Sequence, residues 1–457
     1  MTTALELTRD LCGYTTGVVA AGNAPLFARL AQELPFELHR WQSGETFNGW
    51  VVPDDWTVEH ATISRGGEVL FDGTVNPLAV GRYSRSFQGT VDWSELKRHL
   101  STNPDLPEAY VFHCMWQYRP WDADWALSVP YATYRELEAA GGRYEVDVRT
   151  AYAPSEMLVA TADLPGDGEE TIVLQAHSCH PHMANDGFAG VAVLVRVMQW
   201  LATRERRRHR YRLVVGPEHL GTVFYLRDLP PAELDRIVCG VFAEMPGTRG
   251  PVKVASSFSG GTPIDLALAN AARHHARAHE LVGWRKGAGN DETVWEAPGY
   301  EVPFPEVTRS EDLMAPFREY HTNLDTPDLM DPAQLAEFEG VLRAAIEALE
   351  DDAVALRRFD GLVALSSPRY RLYKERADPA VDKELPEDSE TWGELLDSLL
   401  RYFDGQISIL EIAQRHDLPF SAVRDYVHDF AAAGLVDLQP RRLGRASPRR
   451  TGREAGA

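Results

Sequence analysis

The sequence predicts an α/β protein: a mostly parallel mixed sheet flanked by helices, with a small inserted β-rich module and a C-terminal helical unit. Three observations predict it. Apolar runs RYEVDVRT (143–150), EMLVATADL (156–164), TIVLQAH (171–177), YRLVVGPE (211–218) and RIVCGVFAEM (236–245) read as strands, and the later ones alternate with helical stretches, the rhythm of a largely parallel sheet. Residues 51–130 break that rhythm with short β-like runs divided by Gly, Pro, Asp and Asn. Residues 392–438 then show three helical stretches with a sharp turn at Asp417–Pro419, a Gly434 cap and a short final strand.

Taken in order, residues 5–33 carry apolar positions at helical spacing around Gly13 and Gly22, which predicts one or two helices. The module follows and closes in an aromatic cluster, Trp116, Tyr118, Trp121 and Trp125, which reads as a local core or module interface rather than a ligand platform. Helices are expected at 190–204, near 222–228 and across 264–282, and the basic run RERRRHRYR (204–212) as a solvated helix end. The last unit has the outline of a winged helix-turn-helix. The expected division is 1–50 as the first part of the α/β domain, 51–130 as the module, 131–358 as the α/β domain, 359–440 as the winged helix and 441–457 as a disordered Arg-rich tail.

Composition sets the outer limits. At 457 residues the chain exceeds a single core, and 44% hydrophobic with 25% charged residues excludes disorder as the main state. The net charge of −22 argues against nucleic acid as a principal partner. The helix PFSAVRDYVHDFAAAGL, one Arg against two Asp, offers phosphates little and reads as a packing or oligomerisation surface, so a homo-oligomer is expected. Four scattered cysteines without a Cys-x-x-Cys pair suit a reducing cytosol. With no signal-peptide pattern and no long apolar stretch, a cytoplasmic protein without a membrane partner is expected.

Four segments end in metal-competent side chains. LQAHSCHPHMANDGFAG (174–190) runs from a strand into His177, Cys179, His180 and His182, with Asp186 just before an apolar helix, where Asn185 and Asp186 equally suit an N-cap. Glu218 leaves a strand through Gly-Pro, and Glu244 follows directly on the strand VCGVFA, where a buried carboxylate needs a cationic partner. In YHTNLDTPD (320–328), His321 opens a loop that Asp325 can hold as a turn or cap residue. Imidazoles with carboxylates and no obligatory thiolate suit hydrolytic zinc, as one ion or as two sharing a carboxylate.

These motifs, HSCH, NDGFAG, PEHLGT, AEMPG and YHTNLDT in that order, resemble the zinc-dependent aminopeptidases and the related glutaminyl cyclases. The nearer resemblance is to bacterial aminopeptidase-like proteins with an inserted strand-rich module and a C-terminal winged helix. It is carried by VPDDWTVEHATI (52–63), CHPHMAND (179–186), GPEHLGT (216–222), GNDETVWEAPGYEVPFPEVTR (289–309) and YHT (320–322), and spans about residues 5–438. It implies Asp186 as bridging ligand, Glu244 as ligand to one zinc and His321 to the other, with His177 or His180 as the remaining imidazole. One departure stands out. The aminopeptidases carry two adjacent glutamates, a base and a ligand, where this chain has Glu218 then His219. Either one zinc is bound or another base serves, and Asp291 and Glu292 are candidates for that base or for gripping a substrate ammonium. Arg309 is expected to pair a carboxylate of the substrate or of the protein itself. The implied activity is removal of an N-terminal residue from a peptide or aminoacyl conjugate. The alternatives are an amide hydrolase or cyclase of a small metabolite, and a metal-deficient binding or scaffold protein.

Overall fold

The computed structural model describes residues 2–312, 315–374 and 389–445. Its centre is an eight-stranded mixed sheet in the order Glu37–Gln42, Glu156–Leu164, Arg210–Gly216, Thr171–His177, Ile237–Ala243, Glu306–Thr308, Val252–Ala255 and His279–Val282. Thr171–His177 pairs in parallel with both Arg210–Gly216 and Ile237–Ala243, and the first two strands of the order run antiparallel. Every residue of Thr171–His177 and Ile237–Ala243 is buried, because helices cover both faces. Side chains alternate between two cores: Ile172, Leu174 and Ala176 join helices Ala4–Leu11, Ala189–Thr203, Pro263–His275 and Pro332–Asp351, while Val173 joins helix Leu220–Asp228 and Trp295.

Several expectations change. RYEVDVRT lies outside the main sheet: Arg143–Ala153 is an inner strand of a separate four-stranded antiparallel sheet, ordered Glu68–Asp72, Asp55–Arg65, Arg143–Ala153, Phe87–Asp92. The module's sheet therefore reaches past residue 130. Its pattern explains why: Tyr144, Val146 and Val148 are buried between charged neighbours, the alternation of an antiparallel strand with one wet face. The helix expected across 264–282 stops at His275, and His279–Val282 instead finds backbone partners as an edge strand beside Val252–Ala255. The basic run is only in part a helix end. Arg207 caps the carbonyls of Leu201 and Arg204 at 3.0 and 3.1 Å, but Tyr211 is buried in a strand and Arg212 is held by Asp163 at 2.7 Å.

The aromatic cluster divides. Trp125 is core, stacked on His99 and Phe87, whereas Trp121 is exposed and Tyr118 reaches towards His219 and Trp50.

The C-terminal unit combines helices Ser389–Tyr402, Ile409–Arg415 and Phe420–Ala432 with a three-stranded antiparallel sheet. The central strand of that sheet is Ala353–Arg357, from the α/β side of the boundary expected at residue 358. The Phe420–Ala432 helix is docked at its first turn, where Asn270 accepts the Phe420 N–H and donates to the Leu418 carbonyl, both at 2.9 Å. Residues 441–445 of the expected tail are ordered, with Leu443 buried and Arg445 donating to the carbonyls of Tyr300 and Leu234. The rest of the tail lies outside the described residues. Among those described, no helix is long and apolar enough to cross a membrane.

Candidate metal centre

Parallel strands present their ends at one edge, and the candidate ligands collect there. His177 closes its strand, paired in register with Gly216, so the Pro217–Glu218 turn leaves beside it. Glu244 follows the adjacent strand and donates its backbone N–H to the Val307 carbonyl at 3.0 Å.

Between His177 and helix Ala189–Thr203 the chain makes a kinked turn over Ala184–Phe188, with Gly187 at φ +116°. A Cβ there would lie 2.1 Å from Met183 Cε and 2.9 Å from the His177 carbonyl, so the close approach requires glycine. Asp186 does not cap that helix, which begins at Ala189. Asp325, buried behind the turn, instead accepts the amides of Asn185 at 2.9 Å and Asp186 at 3.0 Å. Asn185 in turn accepts the Gly247 N–H at 2.8 Å, which ties this turn to the loop after Glu244.

The result is a carboxylate divided between two sets of candidate ligands. Asp186 Oδ1 lies 3.3 Å from His177 Nε2, which lies 2.8 Å from Glu244 Oε1. Asp186 Oδ2 lies 3.2 Å from His180 Nε2 and 3.4 Å from His321 Nε2. Two groups of ligand atoms, His177–Asp186–Glu244 and His180–Asp186–His321, thus share Asp186, each spanning less than 4.8 Å. His177 and His180, which compete for one place in the sequence reading, both point at the same carboxylate.

These groups fit a divalent cation. Glu244 Oε2 is buried and makes no hydrogen bond, and His177 Nε2 is wedged between two carboxylate oxygens at 2.8 and 3.3 Å. The Pro181 carbonyl, 2.9 Å from His180 Nδ1, can only accept, so the neutral tautomer it selects carries its lone pair on Nε2. Burial holds His321 down to about 4, a neutral imidazole at physiological pH, and Tyr320 stacks on it at 3.9 Å. Without a metal, burial pushes the Glu244 carboxyl up to about 8. Burial alone would lower His177, but Cys179, Asp186 and Glu244 outweigh it and raise the imidazole well above its usual value. Protons thus occupy lone pairs that a cation would take. Imidazole with carboxylate is the zinc donor set of hydrolytic sites.

Glu218 is the least buried carboxylate here, its side chain 23% exposed against 2% for Asp186 and Glu244. Its Oε2 is 3.9 Å from His177 Nδ1 and its Oε1 3.6 Å from His219 Nε2. His219, at the place of the second glutamate, turns the other way: its backbone N–H and Nδ1 lie 2.7 and 3.0 Å from Asp291 Oδ1. Asp291 is fully buried, and its Oδ2 takes Gln175 and Thr222, each at 2.5 Å. Glu292 is also buried; one oxygen accepts the Asn290 N–H at 2.6 Å, and burial first, then neighbouring Glu306, pushes its carboxyl up to about 8. Arg309 is a buried strut between the carbonyls of Pro246 and Gly250 at 3.1 and 2.7 Å, also paired to Glu337.

Two contributors are missed by the sequence reading. Asn290 donates to Glu244 Oε1 at 2.9 Å, and Phe112 of the inserted module stacks on His180 with ring centres 4.3 Å apart. Neither belongs to a residue class that signals metal chemistry, so spacing alone cannot find them.

Comparisons with known proteins agree with this architecture. A Clostridium acetobutylicum protein named "Putative polysaccharide biosynthesis protein with aminopeptidase-like domain" is 24% identical, over 86% of this chain and 87% of its own. The crystal structure of a "putative peptidase" from Clostridium acetobutylicum superposes with a TM-score of 0.76 at 22% identity, covering 95% of this chain and 96% of that one. The zinc aminopeptidase BSAP from Bacillus subtilis gives 0.54 at 13% identity, covering 75% and 93%. These likenesses establish an aminopeptidase-like fold. Residues 5–352 match the family described as "Domain of unknown function (DUF4910)", and the chain belongs to that family.

Proposed function

We propose that this DUF4910 member is a zinc-dependent aminopeptidase-type hydrolase that removes the N-terminal residue of a peptide or aminoacyl conjugate. The observation that carries the reading is the division of Asp186 between His177–Glu244 and His180–His321, two positions joined by one carboxylate. The aminopeptidase-like fold supports it. Zinc bound there would supply hydroxide near neutral pH and polarise the scissile carbonyl.

The residues then take separate roles. His180 provides the ligand that the absent second glutamate would give, which frees Glu218 to act as general base. Its exposure suits it to receive the proton of the attacking water and return it to the departing amine. Asp291, with its oxygens already engaged, is assigned to orienting His219 rather than to touching substrate. Glu292, deep behind Asn290, is assigned to the same supporting layer.

Two measurements test this. Elemental analysis of chelator-free protein should find two zinc ions per chain, and an aminoacyl-p-nitroanilide panel should be turned over. The polysaccharide-biosynthesis name of the relative favours one second reading, hydrolysis of a small-metabolite amide at the same centre. Zinc without arylamide turnover would select it; absence of zinc would sink both.

A further inference from the structure

We propose that the inserted module is a working part of the metal centre, with Phe112 as a positioning residue for one metal position only, that of His180, His321 and Asp186 Oδ2. The inference rests on the metal-centre reading above.

Residues 110–112 lie against the loop that carries His321 as a short two-stranded bridge. Val111 pairs with Thr322, the Phe112 N–H donates to the His321 carbonyl at 2.8 Å, the Tyr110 N–H donates to Asn323 Oδ1 at 2.8 Å, and the Asn323 N–H donates back to the Tyr110 carbonyl at 3.1 Å. The buried Phe112 ring then meets both imidazoles. It stacks on His180 at 4.3 Å and 26°, and meets His321 in an edge arrangement at 5.2 Å and 89°.

The two metal positions differ in what holds them. His177 and Glu244 stand at the ends of buried parallel strands, fixed by the main sheet. His180 and His321 stand on loops, and His321 adopts the left-handed backbone at φ +55°, unfavourable for a residue with a Cβ. Something must fix their ring planes, since an imidazole that can rotate loses ligand affinity. Phe112 does so for both imidazoles, and Tyr320 adds a stacked contact to His321 at 3.9 Å. The ring carries no ligand atom, so its effect passes entirely through orientation.

The test is a zinc titration of the full-length, metal-stripped chain by calorimetry, repeated with cobalt to follow its visible absorption. Wild type should bind two ions. Phe112→Ala should keep the first at unchanged affinity and weaken the second about 10- to 100-fold, the range for losing a group that orients a ligand. Phe112→Tyr should restore it. Val146→Ala, a cavity in the module's own core away from the imidazoles, should leave both positions intact. Equal weakening of both positions by Phe112→Ala, or unchanged binding, overturns the assignment of Phe112 alone. A wild-type chain that takes up no zinc overturns the metal reading and this inference with it.

Discussion

Asp325 holds Asp186 by its backbone and leaves its side chain free: the Asp325 carboxylate accepts the Asp186 N–H at 3.0 Å, while Asp186 turns its own carboxylate towards three imidazoles. One acid sets the aim of another. Asp325→Ala leaves two buried amides without acceptors, each costing about 1–3 kcal/mol. Urea unfolding should show that loss, and zinc affinity should fall at both positions because Asp186 serves both. Loss of stability with full zinc affinity would mean that the turn is set by Gly187 alone.

Glu218→Gln removes the proposed base and changes little else, since the side chain is partly exposed and makes no short contact. Turnover should fall about 10²- to 10⁴-fold, with zinc content and KM near wild type. A variant of undiminished activity would return the role of base to Glu292 or to another group.

Zinc uptake should release protons. In the metal-free chain, burial raises the Glu244 carboxyl to about 8, and Cys179, Asp186 and Glu244 outweigh burial to raise His177 well above its usual value. Near pH 7 the two groups therefore hold at least one proton that must leave when both become ligands. Affinity should rise from pH 6 to pH 8, and calorimetry in buffers of different ionisation enthalpy should count the protons. Binding independent of buffer and pH would mean that neither group is a ligand.

In the C-terminal unit, burial pushes the Asp352 carboxyl up to about 6, although its oxygen accepts the Leu410 N–H at 2.9 Å. A folded-state value above the unfolded one means that the folded chain binds this proton more tightly. Its stabilising effect is therefore present in acid and lost as pH rises from about 4 to 6. Asp352→Asn keeps the acceptor and abolishes the titration. The variant should gain stability relative to wild type across that interval, by up to about 3 kcal/mol for roughly two pH units. Urea midpoints at pH 4, 5, 6 and 7 check it, and a constant difference would refute it.

Much of the candidate centre is legible in the sequence because its imidazoles and carboxylates sit where patterns change. His177 and Glu244 each follow an unbroken apolar run, so their place at a sheet edge follows from the strands alone. His180 is a different matter. That it joins His177 at Asp186 depends on how the turn after the strand is folded, and that turn is held by Asp325, 139 residues from Asp186. The pairing of His219 with Asp291, 72 residues apart, is equally hidden. The strand Arg143–Ala153 was legible but easy to misplace: its apolar–charged alternation belongs to an antiparallel sheet with one wet face, unlike the wholly apolar strands that follow.

The position of Ala353–Arg357 bears on how this polypeptide can be dissected. The family match ends at residue 352, just where that strand begins, and the strand is the middle of the last sheet. A fragment cut at residue 352 uncovers the part of the main core against which Ile412, Val423 and Phe430 pack, whereas one starting at residue 359 leaves two edges with nothing to zip onto. Shuffling of the last unit between relatives would succeed only if the crossover fell before Ala353.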